Sequence, residues 1–211
     1  MENGVFTGEV INSWLKDGSI RTSFTPDEAY EAIGSALLNT CRFNGIVKSR
    51  YSLLRHSELV GALAHDIALT AGADRRTVLA ARIMGMLHDI GECIVGDVIW
   101  PLKTGEFKKK YDEVYGRLEV AFRKEMSSYV FGVDYDELER IAGGYVGEAD
   151  RLAGQIELFG VSGVADYKSC AILGRALEDP GCYGDRERIS MFRANLSFLI
   201  KDYDKLKGEK A

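Results

Sequence analysis

The scarcity of chain breakers is what most constrains this sequence. Its 211 residues contain three prolines, Pro26, Pro101 and Pro180. Between them, apolar residues recur at three- and four-residue spacing rather than alternating. That periodicity predicts a mainly α fold, a helical bundle. A hydrophobic content of 46% is enough for one substantial core. We expect one domain over 26–205, preceded by an arm at 1–25 that is a short hairpin or irregular, since Gly4, Gly8 and Gly18 break up its apolar runs. A frayed lysine-rich tail is expected at 206–211.

Thr25-Pro26-Asp27-Glu28 supplies a capping hydroxyl, a first-turn proline and acids at the positive end of the helix dipole. A helix from there to about Arg42 would turn Ala29, Ile33, Ala36 and Leu37 to one side, and Asn44-Gly45 would break it. Ser52 to about Ala71 forms the next, carrying Leu59, Val60, Leu63 and Ile67. Asp74 to Asp89 follows, with Val78, Leu79, Ile83, Met86 and Leu87. Beyond a turn-rich stretch through Pro101, Phe107 to about Met126 reads as amphipathic through Tyr111, Val114, Tyr115, Leu118 and Phe122. Tyr135 to Leu158 reads as helix weakened by Gly143, Gly144 and Gly147. Arg186 to about Tyr203 closes the set, with Ile189, Phe192, Leu196, Leu199 and Ile200 inward.

A net charge of −5 lacks the basic excess typical of nucleic-acid binders. No run approaches the roughly 18 apolar residues that span a bilayer, and no leader pattern opens the chain, so a cytoplasmic protein is expected. Cys41, Cys93, Cys170 and Cys182 form no C-x-x-C pair and are read as reduced, packed thiols.

Hydrolytic metal chemistry needs imidazoles and carboxylates converging on one point with a position left for water. The chain has three histidines, which shortens the search. His88-Asp89 ends an apolar helix, and Glu92 follows one turn later, placed to handle a proton. His56 lies on the preceding helix, an antiparallel neighbour if the connection is short. His65-Asp66 is a rival pair. At about 100° per residue, however, His65 lies roughly 180° from His56 on the same helix, so the two cannot face one metal. His65 is therefore read as a surface or packing residue.

The ordered segments Cys41-Arg42-Phe43-Asn44-Gly45, Tyr51-Ser52-Leu53-Leu54-Arg55-His56-Ser57, Leu87-His88-Asp89-Ile90-Gly91-Glu92 and Gly96-Asp97-Val98-Ile99-Trp100-Pro101-Leu102-Lys103 closely resemble the HD-domain phosphohydrolases of phages and bacteria. These are related to the bacterial 5′-deoxynucleotidases and to the phage dATP triphosphohydrolase. The likeness covers roughly residues 25 to 155. It implies that His56, His88 and Asp89 are metal ligands, completed by an aspartate on a later helix. Asp150, in Gly147-Glu148-Ala149-Asp150-Arg151-Leu152-Ala153, fits best, ahead of Asp134 and Asp136.

The resemblance further implies a catalytic acid pair, Glu92 and Asp97, for water activation and leaving-group protonation. Arg42 would bind phosphate, and its planar guanidinium suits that contact. Phe43 would stack on a sugar or base, and Lys103 would neutralise phosphate charge. Trp100 is read equally as a stacking or a core residue, and the Lys108-Lys109-Lys110 run as a solvated face or as a contact to a longer phosphate chain. Arg55 departs from the pattern, standing where relatives usually carry Glu or Gln and changing the charge beside a ligand.

The activity implied is divalent-metal-dependent hydrolysis of deoxyribonucleoside 5′-phosphates, with Zn, Co, Mn or Mg as the metal. The leading substrate is a deoxynucleoside triphosphate of the dATP type, split into deoxynucleoside and triphosphate. The alternatives are a 5′-deoxynucleotidase acting on monophosphates and a non-catalytic nucleotide-binding module. The last would have no need to keep the metal ligands and acids together. A cyclic-nucleotide phosphodiesterase would need more histidines than this chain has. The partner is thus a small-molecule nucleotide, with neither nucleic acid nor membrane. Relatives' habits imply a homo-oligomer, dimer or hexamer, in the cytoplasm, the host's if the chain is phage-encoded.

Overall fold

The computed structural model describes residues 25–42, 51–98, 105–161 and 184–208. Its first helix, α1 (Pro26–Asn39), starts where Thr25 and Glu28 form a reciprocal cap. The Thr25 hydroxyl accepts the Glu28 amide, and the Glu28 carboxylate accepts the Thr25 N–H at 2.8 Å, satisfying amides that a helix start leaves unpaired. The helix ends at Asn39, short of the expected Arg42. The following residues are taken instead by an extended bridge between Cys41 and Ser52. Within it the Arg42 N–H donates to the Tyr51 carbonyl at 2.8 Å and the Leu53 N–H to the Thr40 carbonyl at 3.0 Å. That pairing fixes Arg42 beside the start of the next helix.

Helices α2 (Leu53–Thr70) and α3 (Arg75–Leu87) are capped by the side chains of Ser52 and Asp74. The tight connection between them passes through Gly72 at φ 73°, which a glycine adopts without strain. The two helices meet glycine against glycine: a Cβ on Gly85 would lie 2.7 Å from the Gly61 Cα. This close approach brings the histidine-bearing ends of both helices together.

After the four-residue α4 (Glu92–Val95), α5 (Gly105–Tyr111) passes through a π-helical turn, Asp112–Gly116, into α6 (Arg117–Phe131). The apolar face expected from Tyr111 to Phe122 does not carry through that turn. Leu118 and Phe122 are buried, whereas Tyr115 is 50% exposed. A π turn winds wider than an α turn, so residues read at uniform α spacing fall on different faces.

Gly132, at φ 66°, ends α6. The Asp134 carboxylate accepts the Glu137 N–H as α7 (Tyr135–Val161) begins. Gly143, Gly144 and Gly147 do not interrupt α7, because Leu138, Ala142, Val146, Ala149 and Ala153 form a buried stripe against α2 and α3. Tertiary packing here outweighs weak local propensity. The last helix, α8 (Asp185–Gly208), buries Ile189, Phe192, Leu196 and Leu199. It runs past the point where fraying was expected. Lys207 pairs with Glu137 at 2.7 Å and lies over the Tyr203 ring, which ties down the final turn.

The centre of the bundle is α2, α3 and α7. Among the described residues there is no strand beyond the Cys41–Ser52 bridge, and no helix is long and apolar enough to cross a membrane. Cys41 and Cys93 are free thiols. Most of the expected N-terminal arm, Phe43, Trp100, Lys103, Cys170 and Cys182 lie outside the described residues, as does the Val114 side chain.

Candidate metal centre

Three helices each deliver part of one cluster. His56 comes from the first turn of α2, His88 from the residue that ends α3, Asp89 from the turn after it, and Asp150 from the middle of α7. The Nε2 of His56 lies 3.3 Å from Asp89 Oδ2 and 3.2 Å from Asp150 Oδ1. The Nε2 of His88 lies 3.2 Å and 3.7 Å from the same two oxygens. Donor atoms held at about 2.1 Å from one cation sit roughly 3.0 to 3.4 Å from each other, so these spacings suit a shared ion. Both Nε2 atoms are buried and make no hydrogen bond. Asp150 is half-exposed and marks the open side of the cluster.

The opposite ring nitrogens are held by acceptors. His88 Nδ1 lies 2.7 Å from the Gly85 carbonyl, and His56 Nδ1 lies 2.7 Å from Glu157 Oε1. A carbonyl or carboxylate only accepts, so each Nδ1 carries a proton, and once Nε2 gives up its own in favour of a bound cation each ring would turn an Nε2 lone pair into the cluster. The Arg123 guanidinium donates to the His88 carbonyl at 2.7 Å, fixing the end of α3.

Electrostatics follow the same geometry. Burial works against a charged His88, but Asp89 and Asp150 outweigh it and raise its pKa to about 9. Burial is likewise outweighed at His56, held well above its ordinary value by Asp150, Asp89 and Glu157. The imidazoles in turn hold Asp89 and Asp150 well below the usual carboxylate range, against burial. Such a set attracts cations, protons or metal alike.

Beside this cluster, carboxylate oxygens of Asp89, Glu92 and Glu119 lie within 4.8 Å of one another. Glu92 is buried at the start of α4. Glu119 accepts a hydrogen bond from the Tyr111 hydroxyl, and its backbone packs against Gly91. Asp97 accepts from Arg42 NH1 at 2.8 Å, and Arg42 NH2 lies 3.5 Å from Glu157 Oε2. Burial disfavours the Arg42 charge, but Asp89, Glu157, Asp97 and Glu92 more than restore it.

The residues singled out in the sequence thus gather as one neighbourhood: His56, His88, Asp89, Asp150, Glu92, Asp97 and Arg42. Asp134 caps α7 and Asp136 pairs with Lys124, which removes both from the cluster. His65 bonds to Asp66 on the outer side of α2. Glu119 and Glu157 were not anticipated. Glu157 carried a readable signal, since it lies four residues after Ala153 on the buried stripe of α7 and two turns after Asp150.

No curated protein matches the chain. Residues 53–144 match the family model described as the HD domain. The matched stretch contains His56, His88 and Asp89, the histidine and histidine–aspartate elements whose Nε2 and carboxylate atoms converge in the cluster. That stretch is therefore similar to the HD domain of metal-dependent phosphohydrolases.

Proposed function

We propose that this protein hydrolyses deoxyribonucleoside 5′-phosphates, with a deoxynucleoside triphosphate of the dATP type as its leading substrate. The observation that carries the reading is the convergence of two buried, unbonded Nε2 atoms on two carboxylates, with Arg42 close by. His56, His88, Asp89 and Asp150 would hold the cation. A divalent cation bound there supplies Lewis-acid polarisation and acidifies water.

The chain's own residues do the rest. Glu92 accepts the proton of the attacking water from its buried place beside Asp89. Asp97 relays to the leaving oxygen the proton that Glu92 has taken up. Arg42, aimed by Asp97 and Glu157, takes the charge that grows on the phosphoryl oxygens. Phe43 and Lys103 complete the reading as base and phosphate contacts. The P–O bond to the deoxynucleoside breaks, releasing deoxynucleoside and triphosphate.

A second reading, a 5′-deoxynucleotidase acting on monophosphates, is compatible with the lysine run on α5. Lys108 is paired with Asp112 at 2.8 Å, and Lys109 and Lys110 are exposed. A solvated face explains that run without a longer phosphate chain. Incubation with deoxy- and ribonucleoside mono- and triphosphates separates the two. Tripolyphosphate from dATP supports the first, and orthophosphate from monophosphates supports the second. His88→Ala should abolish either activity, and no turnover with Mn, Co, Zn or Mg would sink both.

A further inference from the structure

The two imidazoles of the cluster are oriented in different ways. His88 needs only the Gly85 carbonyl one turn before it. His56 instead depends on Glu157, 101 residues further along the chain. Glu157 is fully buried, and a buried carboxylate is costly unless its oxygens find donors. One oxygen finds a hydrogen bond and the other, which makes none, an ion pair. Oε1 takes the His56 Nδ1–H at 2.7 Å, and Oε2 faces Arg42 NH2 at 3.5 Å. The buried Tyr51 hydroxyl also lies beside it; burial and then the Glu157 charge push that phenol's pKa up.

We propose that Glu157 is a positioning residue that links the metal to the phosphate: one oxygen sets the tautomer and ring angle of His56, and the other aims Arg42. The inference rests on the metal-dependent reading of the site. It assigns separate work to the two oxygens, and the amide of glutamine separates them. In Glu157→Gln the carbonyl oxygen still accepts from His56, but the NH2 group opposes the guanidinium donor to donor. In Glu157→Ala both contacts are lost.

The test measures Mn2+ affinity by chelator competition, and the affinity of the Mn2+-loaded full chain for inorganic phosphate by calorimetry. Groups that orient a metal-bound histidine are worth about 10- to 100-fold in metal affinity. Glu157→Ala should therefore weaken Mn2+ binding by that factor and phosphate binding as well. Glu157→Gln should keep Mn2+ affinity within about threefold of the parent while weakening phosphate about tenfold, as Arg42 loses the carboxylate that aims it. Parent-like Mn2+ affinity in the alanine variant, or equal losses in the two variants, would overturn the proposal. If the alanine variant does not fold, parent-like phosphate affinity in Glu157→Gln overturns it alone. A parent chain that binds no Mn2+ instead removes the metal-dependent reading beneath it.

Discussion

Arg42 has two jobs for one planar group, because its guanidinium reaches Asp97 and Glu157 on separate nitrogens while its own amide is tied to Tyr51. A lysine ammonium is a point charge and cannot span both carboxylates. Arg42→Lys should lower kcat/KM for the nucleotide by roughly 10- to 100-fold, the worth of about 1.5–3 kcal/mol in a charged hydrogen bond. Initial-rate kinetics would check this, with the loss falling on kcat as well as KM. The histidine cluster was legible at this scale because so few histidines had to be sorted, and helix angles alone separated His56 from His65. Glu157 was not. A lone glutamate in a helix interrupted by glycines looks solvated until its packing partners are known, and Arg42 was read for what it would bind, without the carboxylates that hold it.

Helices deliver these groups to one place, and the contact that matters most is the glycine crossing of α2 and α3. A methyl group on Gly85 would collide with the Gly61 backbone. Gly85→Ala should therefore force the helices apart, cost about 1–3 kcal/mol of stability, and weaken metal binding by moving His88 away from His56. Chemical denaturation and metal titration of the same variant would show both effects. At the start of α3, the Asp74 carboxylate accepts the Thr77 amide at 2.7 Å, and its bonds to Thr77 hold its pKa below 3.8. The folded form thus releases its proton more readily than the unfolded chain, so the cap stabilises above about pH 4 and its contribution is lost as pH falls lower. Asp74→Ala should cost about 1 kcal/mol at pH 7, a gap that closes in denaturation series taken below pH 4. Caps such as this one and Thr25 were readable, being local. The π turn after Tyr111 and the continuity of α7 through its glycines were not, since both are decided by what packs against them.

Across the whole molecule, α7 closes what α2 and α3 begin. The helical class followed from spacing alone, but the bundle's centre could not, because a repeat of apolar positions says which face is buried and not against what. One consequence of this layout concerns time. The cluster draws on residues from 56 to 157, and α7 brings Asp150 and Glu157 to histidines that precede them by tens of residues. Contacts this distant in sequence form only after chain entropy has been overcome, so a nascent chain acquires its two histidines well before the carboxylates that complete their surroundings. Cation binding should accordingly come after the folding barrier. In stopped-flow experiments at about 100 times the dissociation constant, Mn2+ should leave the refolding rate unchanged and slow unfolding by roughly 100-fold. The metal would then act as a latch on a bundle already assembled, guarding its lifetime rather than directing its birth.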